Sequence, residues 1–346
     1  MRNFDYFDKP CSLYTPKIMK LITKIYEYKG RQDLFLESYQ DKLSPYIKVA
    51  RLQSIAASNR IESIYASDTR IDEIANQNQD PKGIDEEQIA GYKDVLATVE
   101  DNFEYINLSS NVILQLHRDL YSYAGGGGRF KNTDNIIQGT DDKGKTQIRF
   151  KPVSAFETRA AMDDLCSNFK RAFENKGLEN LILIPMFIQD FLCIHPFDDG
   201  NGRMSRLLTN LLFLKSGFMV AKYVSLEMLI ETSVGKYYEA LLDSSKNWHE
   251  GTNNYEPFVE YYLGILLKAY NEFEERVEHL KQRSLSKPER IKNLIEKKVG
   301  KITKKEILDF CPDISKVTIE RTLTELVKKG EITKVGAGPN TAYVRS

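Results

Sequence analysis

Two stretches of the chain carry apolar patterns that predict buried helices. From Leu181 to Ile194 nearly every position is apolar, and from Met204 to Leu214 the residues Leu207, Leu208, Leu211, Leu212 and Leu214 recur near helical spacing. The short glycine-containing segment between them is then a tight loop joining two buried helices. Upstream, Val49 to Tyr65 is amphipathic, with Leu52, Ile55, Ala56 and Ile61 near helical period. Residues 135–152 follow a break at Gly125-Gly126-Gly127-Gly128 and read as two short strands around Asp141-Asp142-Lys143-Gly144, a hairpin. Toward the end, Pro288 to Val299, Thr303 to Phe310 and Lys316 to Lys329 predict three helices, the last capped near Ser315 or Asp313. Glu331 to Val335 and Thr341 to Arg345 predict two strands around Gly336 to Asn340.

The loop between the two apolar helices concentrates chemistry. It begins at His195 and runs Pro-Phe-Asp-Asp-Gly-Asn-Gly to Arg203 and on to Arg206. Gly200, Asn201 and Gly202 open the second helix, whose N-terminus presents unpaired N–H groups and a positive dipole end to an anion. The glycines allow close backbone approach and positive φ. Arg203 and Arg206, three apart on the first turn, can both reach one polyphosphate. Asp199 is a hard oxygen ligand suited to Mg²⁺, which binds through one or two carboxylates plus substrate phosphates. His195 stands at the far end as a general base. Singly, Asp199-Gly200 or Asn201-Gly202 is an ordinary turn dipeptide, and a lone histidine ending an apolar helix is usually structural. Their combination points to a phosphate-handling site, and no Walker A sequence is present to make it a P-loop.

His195 to Arg206 matches the signature H-x-F-x-[DE]-G-N-G-R-x-x-R at every specified position, and so resembles the Fic family. The resemblance implies a mainly α fold, a helical core with a small β-hairpin flap. It also implies a protein adenylyltransferase, moving AMP from Mg-ATP onto a Ser, Thr or Tyr hydroxyl of a target protein and of itself. In those terms His195 is the base, Asp199 holds Mg²⁺, and Gly200, Asn201 and Gly202 cradle the α- and β-phosphates. Arg203 then holds the β-phosphate region and Arg206 the γ-phosphate. Ser58-Asn-Arg-Ile-Glu62-Ser63 resembles the family's inhibitory helix, [ST]-x-x-x-E-[GN], with Ser63 where Gly or Asn is usual. The resemblance makes Glu62 a bidentate partner of Arg206 that occupies the γ-phosphate space; otherwise Glu62 is a helix-surface acid. The hairpin corresponds to the flap that docks a target segment as an added strand, with Gln138, Gly139 and Ile148 as its candidate contacts. Tyr237 and Tyr238 fall where family members place tyrosines near the adenine, with core packing as the rival explanation.

The chain has 346 residues with 41% hydrophobic content and a net charge of zero, room for two or three domains. The boundaries expected are 1–105 for an N-terminal helical region, 106–283 for the core and 284–346 for a C-terminal unit, with Ser284 to Pro288 as linker. That last segment carries 14 Lys and Arg against 8 Asp and Glu, a net of +6, so the remainder carries −6. Three helices and a hairpin resemble a winged helix, with Lys316 to Lys329 as recognition helix; DNA phosphates and a protein partner are both open as its ligand. No apolar run reaches membrane-spanning length, the start lacks a signal-peptide core, and the four cysteines show no disulfide or metal spacing. A reducing cytoplasm is the expected location. Two other functions remain open: removal of AMP by a water that Glu62 orients, and a nucleotide-sensing DNA-binding regulator. A homodimer burying part of the N-terminal region is a natural way to hold the inhibitory helix.

Overall fold

A computed structural model describes residues 2–77, 79–140, 146–281, 285–298, 300–338 and 341–345. A short 3₁₀ turn at Lys9–Leu13 leads into α1 (Pro16–Ile61), α2 (Asp68–Asn76), α3 (Ile84–Asn102) and α4 (Ser110–Leu120). The flap follows as β1 (Ile137–Thr140) and β2 (Thr146–Phe150), then α5 (Ala155–Phe173), α6 (Asn180–Ile194) and α7 (Asn201–Lys215). Beyond these lie α8 (Val220–Tyr223), α9 (Leu226–Glu231), α10 (Val234–Ser245) and α11 (Glu256–Lys281). The C-terminal unit comprises α12 (Lys287–Lys297), β3 (Ile302–Thr303), α13 (Lys304–Phe310), α14 (Lys316–Lys328), β4 (Ile332–Val335) and β5 (Ala342–Arg345).

α6 is buried at every residue from Leu181 to Ile194, which explains its nearly all-apolar sequence; its two polar residues are paired inside the core, Asp190 accepting from Tyr6, Trp248 and Tyr255 and Gln189 donating to Ser245. It packs with α7, α5 and α11 at the centre of one large core. α1 lies along α11, α9, α3 and α8, and is bent where Tyr39 leaves helical φ/ψ nearly two turns before Pro45. Its last turns are fastened by Ser54, whose hydroxyl donates to buried Glu227, and by Arg60, which grips Glu231 through Nε and Nη2 at 2.6 and 2.8 Å.

The C-terminal unit has its own core around Ile291, Ile295, Ile307, Ile319 and Leu323. Its antiparallel sheet has the order β3-β5-β4. The predicted elements shift slightly for local reasons. α12 starts at Lys287 because Ser286 and Glu289 form a reciprocal capping box. Ser315 rather than Asp313 caps α14, since Asp313 is engaged by both terminal nitrogens of Arg290. The unit rests on α1: the Tyr46 hydroxyl donates to the Phe310 carbonyl at 2.8 Å and Gln53 donates to Asp309 at 3.0 Å. The predicted hairpin tip, Asp141 to Gly144, lies outside the described residues, as do Ser284 of the expected linker, Val299, Pro339 and Asn340.

Candidate functional site

The loop 195–200 turns the chain from α6 into α7. His195 ends α6 in the left-handed region (φ 50, ψ 62), and Gly200 starts α7 in the same region (φ 82). A non-glycine residue held there costs about 1 to 3 kcal/mol, so surrounding contacts must hold it. Asn201 supplies some of them. Its side chain is buried and stitches the loop to itself, accepting from Phe197 N at 3.0 Å and donating to Phe197 O at 2.8 Å. What Asn201 offers a ligand is therefore its backbone, along with the N–H groups of the α7 N-terminus, which no side chain caps.

Three residues that carry no motif complete the loop's support. His117 stacks flat on Phe197, with ring centroids 3.6 Å apart. Its Nδ1 accepts from Gly128 N at 3.0 Å, so Nε2 carries the hydrogen and donates to the Asp199 carbonyl at 3.1 Å. Burial lowers its pKa to about 4, the nearby Arg203 acting the same way, and the ring is neutral. Tyr121 donates to Asp199 Oδ2 at 2.5 Å and accepts from Arg203 Nη2 at 2.7 Å, bridging the acid and the first arginine. Lys131, also buried, donates through Nζ to Ile194 O at 3.0 Å and to Asn135 Oδ1 at 2.9 Å. Its own N–H reaches Pro196 O at 2.9 Å. No spacing singles these residues out, because each matters only through a long-range contact.

The charge states suit acid–base and anion chemistry. Burial, seconded by the Lys131 ammonium, lowers His195 to about 4 against the opposing pull of the Leu192 carbonyl, Glu62 and Asp199; its imidazole is a neutral base at ordinary pH. For Asp199, burial pushes the pKa up, but the Tyr121 hydroxyl, the Gly200 N–H, Arg203 and His117 outweigh it and hold the carboxyl below its usual value. The Asp199 side chain is 72% exposed. Among the described residues no group of three His, Cys, Asp or Glu could hold a metal by itself. One ionised, exposed carboxylate beside a phosphate-sized cradle fits Mg²⁺, which relies on substrate phosphates and waters for its other ligands.

Arg206 is fully enclosed, and its partners come from the end of α1. Nε donates to the Ser58 hydroxyl at 2.8 Å, and Nη2 donates to the Ser58 carbonyl at 2.9 Å and to Glu62 Oε1 at 2.8 Å. The expected bidentate pair with Glu62 is a single hydrogen bond: Nη2 is shared between Ser58 and Glu62, and Nη1 has no hydrogen-bond partner among the described residues. Glu62 lies directly over the α7 N-terminus: a Cβ at Gly202 would meet its Oε1 at 2.0 Å. Ser63 has φ 60, and the bonds Ser63 N to Arg60 O and Ile64 N to Asn59 O form a Schellman cap. This is why Gly or Asn suits position 63: the site needs a left-handed residue.

His195, Glu62, Gly202, Arg206, Gln138, Gly139, Tyr237 and Tyr238 all line one cavity of about 400 Å³. Ser58 lies behind Arg206, while Asp199, Gly200, Asn201 and Arg203 form the loop beyond Gly202 and are not lining residues. Tyr237 is buried edge-on to Tyr238 and packs on Phe258 and Tyr261, so it belongs largely to the core; Tyr238 is 39% exposed and presents its ring to the cavity. On the flap, Gln138 opposes Ile148 in register, and Ile148 is 63% exposed outside the cavity lining. Arg149 and Phe150, which sequence reasoning passed over, line the cavity from β2.

Residues 107–213 match the Fic/DOC family model, a span that contains the whole loop and the supporting residues His117, Tyr121 and Lys131. Among solved structures, a Fic family protein from Desulfovibrio desulfuricans aligns over 96% of both chains at 21% identity and a TM-score of 0.62. A Fic domain containing signaling protein from Bacteroides thetaiotaomicron aligns over 74% of this chain and 94% of its own at 20% identity, TM-score 0.56. Fic-1 from C. elegans (residues 134–508) aligns over 78% and 74% at 17% identity, TM-score 0.53. A search of curated proteins finds no match. The fold is a mainly α Fic fold with a small β-hairpin.

Proposed function

We propose that the protein is an adenylyltransferase that moves AMP from ATP to a Ser, Thr or Tyr hydroxyl of target proteins and of itself, and that Glu62 holds it inactive. The observation that carries this reading is the shared cavity: a neutral base, His195, opens onto the same space as Arg206, whose Nη2 is bound by Glu62 at 2.8 Å. His195 accepts the proton of the attacking hydroxyl as its oxygen bonds the α-phosphorus, the α–β phosphoanhydride bond breaks and pyrophosphate leaves, a role its depressed pKa leaves open at neutral pH. The N–H groups at the start of α7 take the α- and β-phosphates, Arg203 the β-phosphate region, and Arg206 the γ-phosphate once Glu62 withdraws. Asp199 is the residue that would hold Mg²⁺, which when bound neutralises charge developing on the phosphates. Tyr238 supplies an aromatic face for adenine, and the unpaired edge of the β1–β2 ribbon suits a target segment added as a strand.

Intact-protein mass spectrometry after incubation with ATP tests the proposal. Glu62→Gly should gain AMP while the Glu62→Gly/His195→Ala double variant should not; equal mass in both would overturn it. The competing chemistry, removal of AMP by a water that Glu62 orients, predicts instead that wild type strips a modified protein and Glu62→Gly does not.

For the C-terminal unit we propose a winged helix that binds duplex DNA. Exposed Lys316, Arg321 and Lys328 on α14 and Lys334 and Arg345 on its strands favour this, within a segment of net charge +6. The full chain should bind duplex with an affinity that falls steeply with salt. Retention unchanged in Lys316→Glu/Arg321→Glu, or no binding at low salt, removes it in favour of a protein partner.

A further inference from the structure

The residue that brackets His195 most closely is not in the motif. Lys131 sits just before the flap, and two of its hydrogen bonds end on the carbonyls either side of the base: Nζ on Ile194 O at 3.0 Å and the backbone N–H on Pro196 O at 2.9 Å. Asn135, itself held by the ammonium at 2.9 Å, adds a third link by donating to Phe197 O at 3.2 Å. Ile194 O is one of the carbonyls left without an intrahelical partner where α6 ends, and a cation there is favoured by the helix dipole. Lys131 is only 3% exposed, so its charge acts through protein rather than water. His195 at φ 50 cannot keep its left-handed conformation without such fastening.

We propose that Lys131 is the positioning residue of the reaction centre: its ammonium pins the end of α6 so that His195 presents a neutral imidazole to the cavity, and its place at the root of the flap joins that base to the hairpin. The inference rests on the assignment of His195 as base. The groups facing His195 are Lys131, which disfavours its protonation, and Glu62, Asp199 and the Leu192 carbonyl, which favour it; Asp134 and Asp198 face Lys131. Burial, against the pull of those two acids, lowers Lys131 to about 8, so it is charged where His195 titrates. Removing the charge must therefore raise the imidazole pKa, although burial keeps it below its ordinary value.

Lys131→Met keeps the aliphatic stem and deletes the ammonium; Lys131→Arg restores a cation. Both are made in the Glu62→Gly protein. NMR titration of the four imidazoles should show the His195 resonance moving to higher pKa in Lys131→Met and returning in Lys131→Arg. The kcat for AMP transfer should fall by about 10²-fold in the methionine variant, as for a misplaced reacting group, with KM for ATP within about twofold and partial recovery in arginine. An unmoved His195 titration in a folded Lys131→Met overturns the proposal. So does a loss of kcat that follows thermal unfolding and is not recovered by arginine. If the titration moves but the Glu62→Gly parent transfers no AMP, the positioning stands and the proposed reaction fails.

Discussion

Two helices of this protein end on a left-handed residue that is not glycine, and both ends face the same cavity. α6 ends at His195 and α1 ends beside Ser63, with Glu62 as its last partner to the site. The surroundings differ. The His195 end is fastened by Lys131, Asn135 and the inward-turned Asn201, all acting on residues 194–197. The Glu62 side chain is 31% exposed and is bound to Arg206 by one hydrogen bond, while its helix is held further back by Ser54, Ser58 and Arg60. On the function proposed above, that contrast is the one expected of a base that must stay in place and an inhibitor that must be able to leave: many contacts on one side, a single half-exposed hydrogen bond on the other.

The largest effects should follow from breaking the rigid side. His195→Ala in the Glu62→Gly protein should lower AMP transfer by about 10² to 10⁴-fold, the usual contribution of a positioned base. A residual rate close to the parent would show that the hydroxyl loses its proton elsewhere. Breaking the movable side should act in the opposite direction and less strongly. A hydrogen bond between charged groups contributes about 1.5 to 3 kcal/mol, so Glu62→Gly should raise the transfer rate by about tenfold to a hundredfold. Single-turnover transfer of labelled AMP measures it, and an unchanged rate would mean that Glu62 does not obstruct the nucleotide.

The pH dependence sharpens the comparison on the rigid side. His117 protonates at about 4 in the folded protein against 6.5 ordinarily, chiefly because it is buried. Between those values the unfolded chain binds more protons. Stability is thus fully present above pH 6.5 and is lost as pH falls toward 4, by about 3 kcal/mol for this residue at 1.36 kcal/mol per pKa unit. Denaturant midpoints measured across that window should fall with pH, and the slope should shrink in His117→Gln. A slope unchanged by that substitution would assign the acid sensitivity to other groups.

How much of this was legible beforehand follows from where each contact lies in sequence. His195 to Arg206 is contiguous and its roles depend on a turn and a helix start, both local, so the loop between two buried helices could be read directly. Glu62 was legible through its spacing from Ser58, but its geometry was not: that Glu62 meets Arg206 through Nη2 alone, on a guanidinium also held by Ser58 from 148 residues away, shows only in the folded chain. His117, Tyr121 and Lys131 are ordinary residues in ordinary patterns until folding brings them against Phe197, Asp199 and Ile194. Tyr237 and Tyr238 are adjacent and chemically alike, and only the packing of α10 on α11 decides that one ring is core and the other faces the cavity. The two-residue strand β3 is too short for any alternation to register.

The smallest expected effects test the caps themselves. Ser63→Gly relieves the left-handed strain at the end of α1 while leaving the Schellman bonds, made by backbone alone, intact; it should stabilise the protein by about 0.5 to 1 kcal/mol. Because the same change tightens the helix end that carries Glu62, AMP transfer by the otherwise unaltered protein should stay low or fall. His195→Gly relieves the equivalent strain at α6 and should also keep or raise the melting temperature, yet it removes the base. If both glycines stabilise and only the second changes transfer in the Glu62→Gly protein, the two caps differ in chemistry and not in backbone. Destabilisation by His195→Gly would instead mean that the imidazole's own packing outweighs the strain, and that the loop is held as much by the base as the base is by the loop.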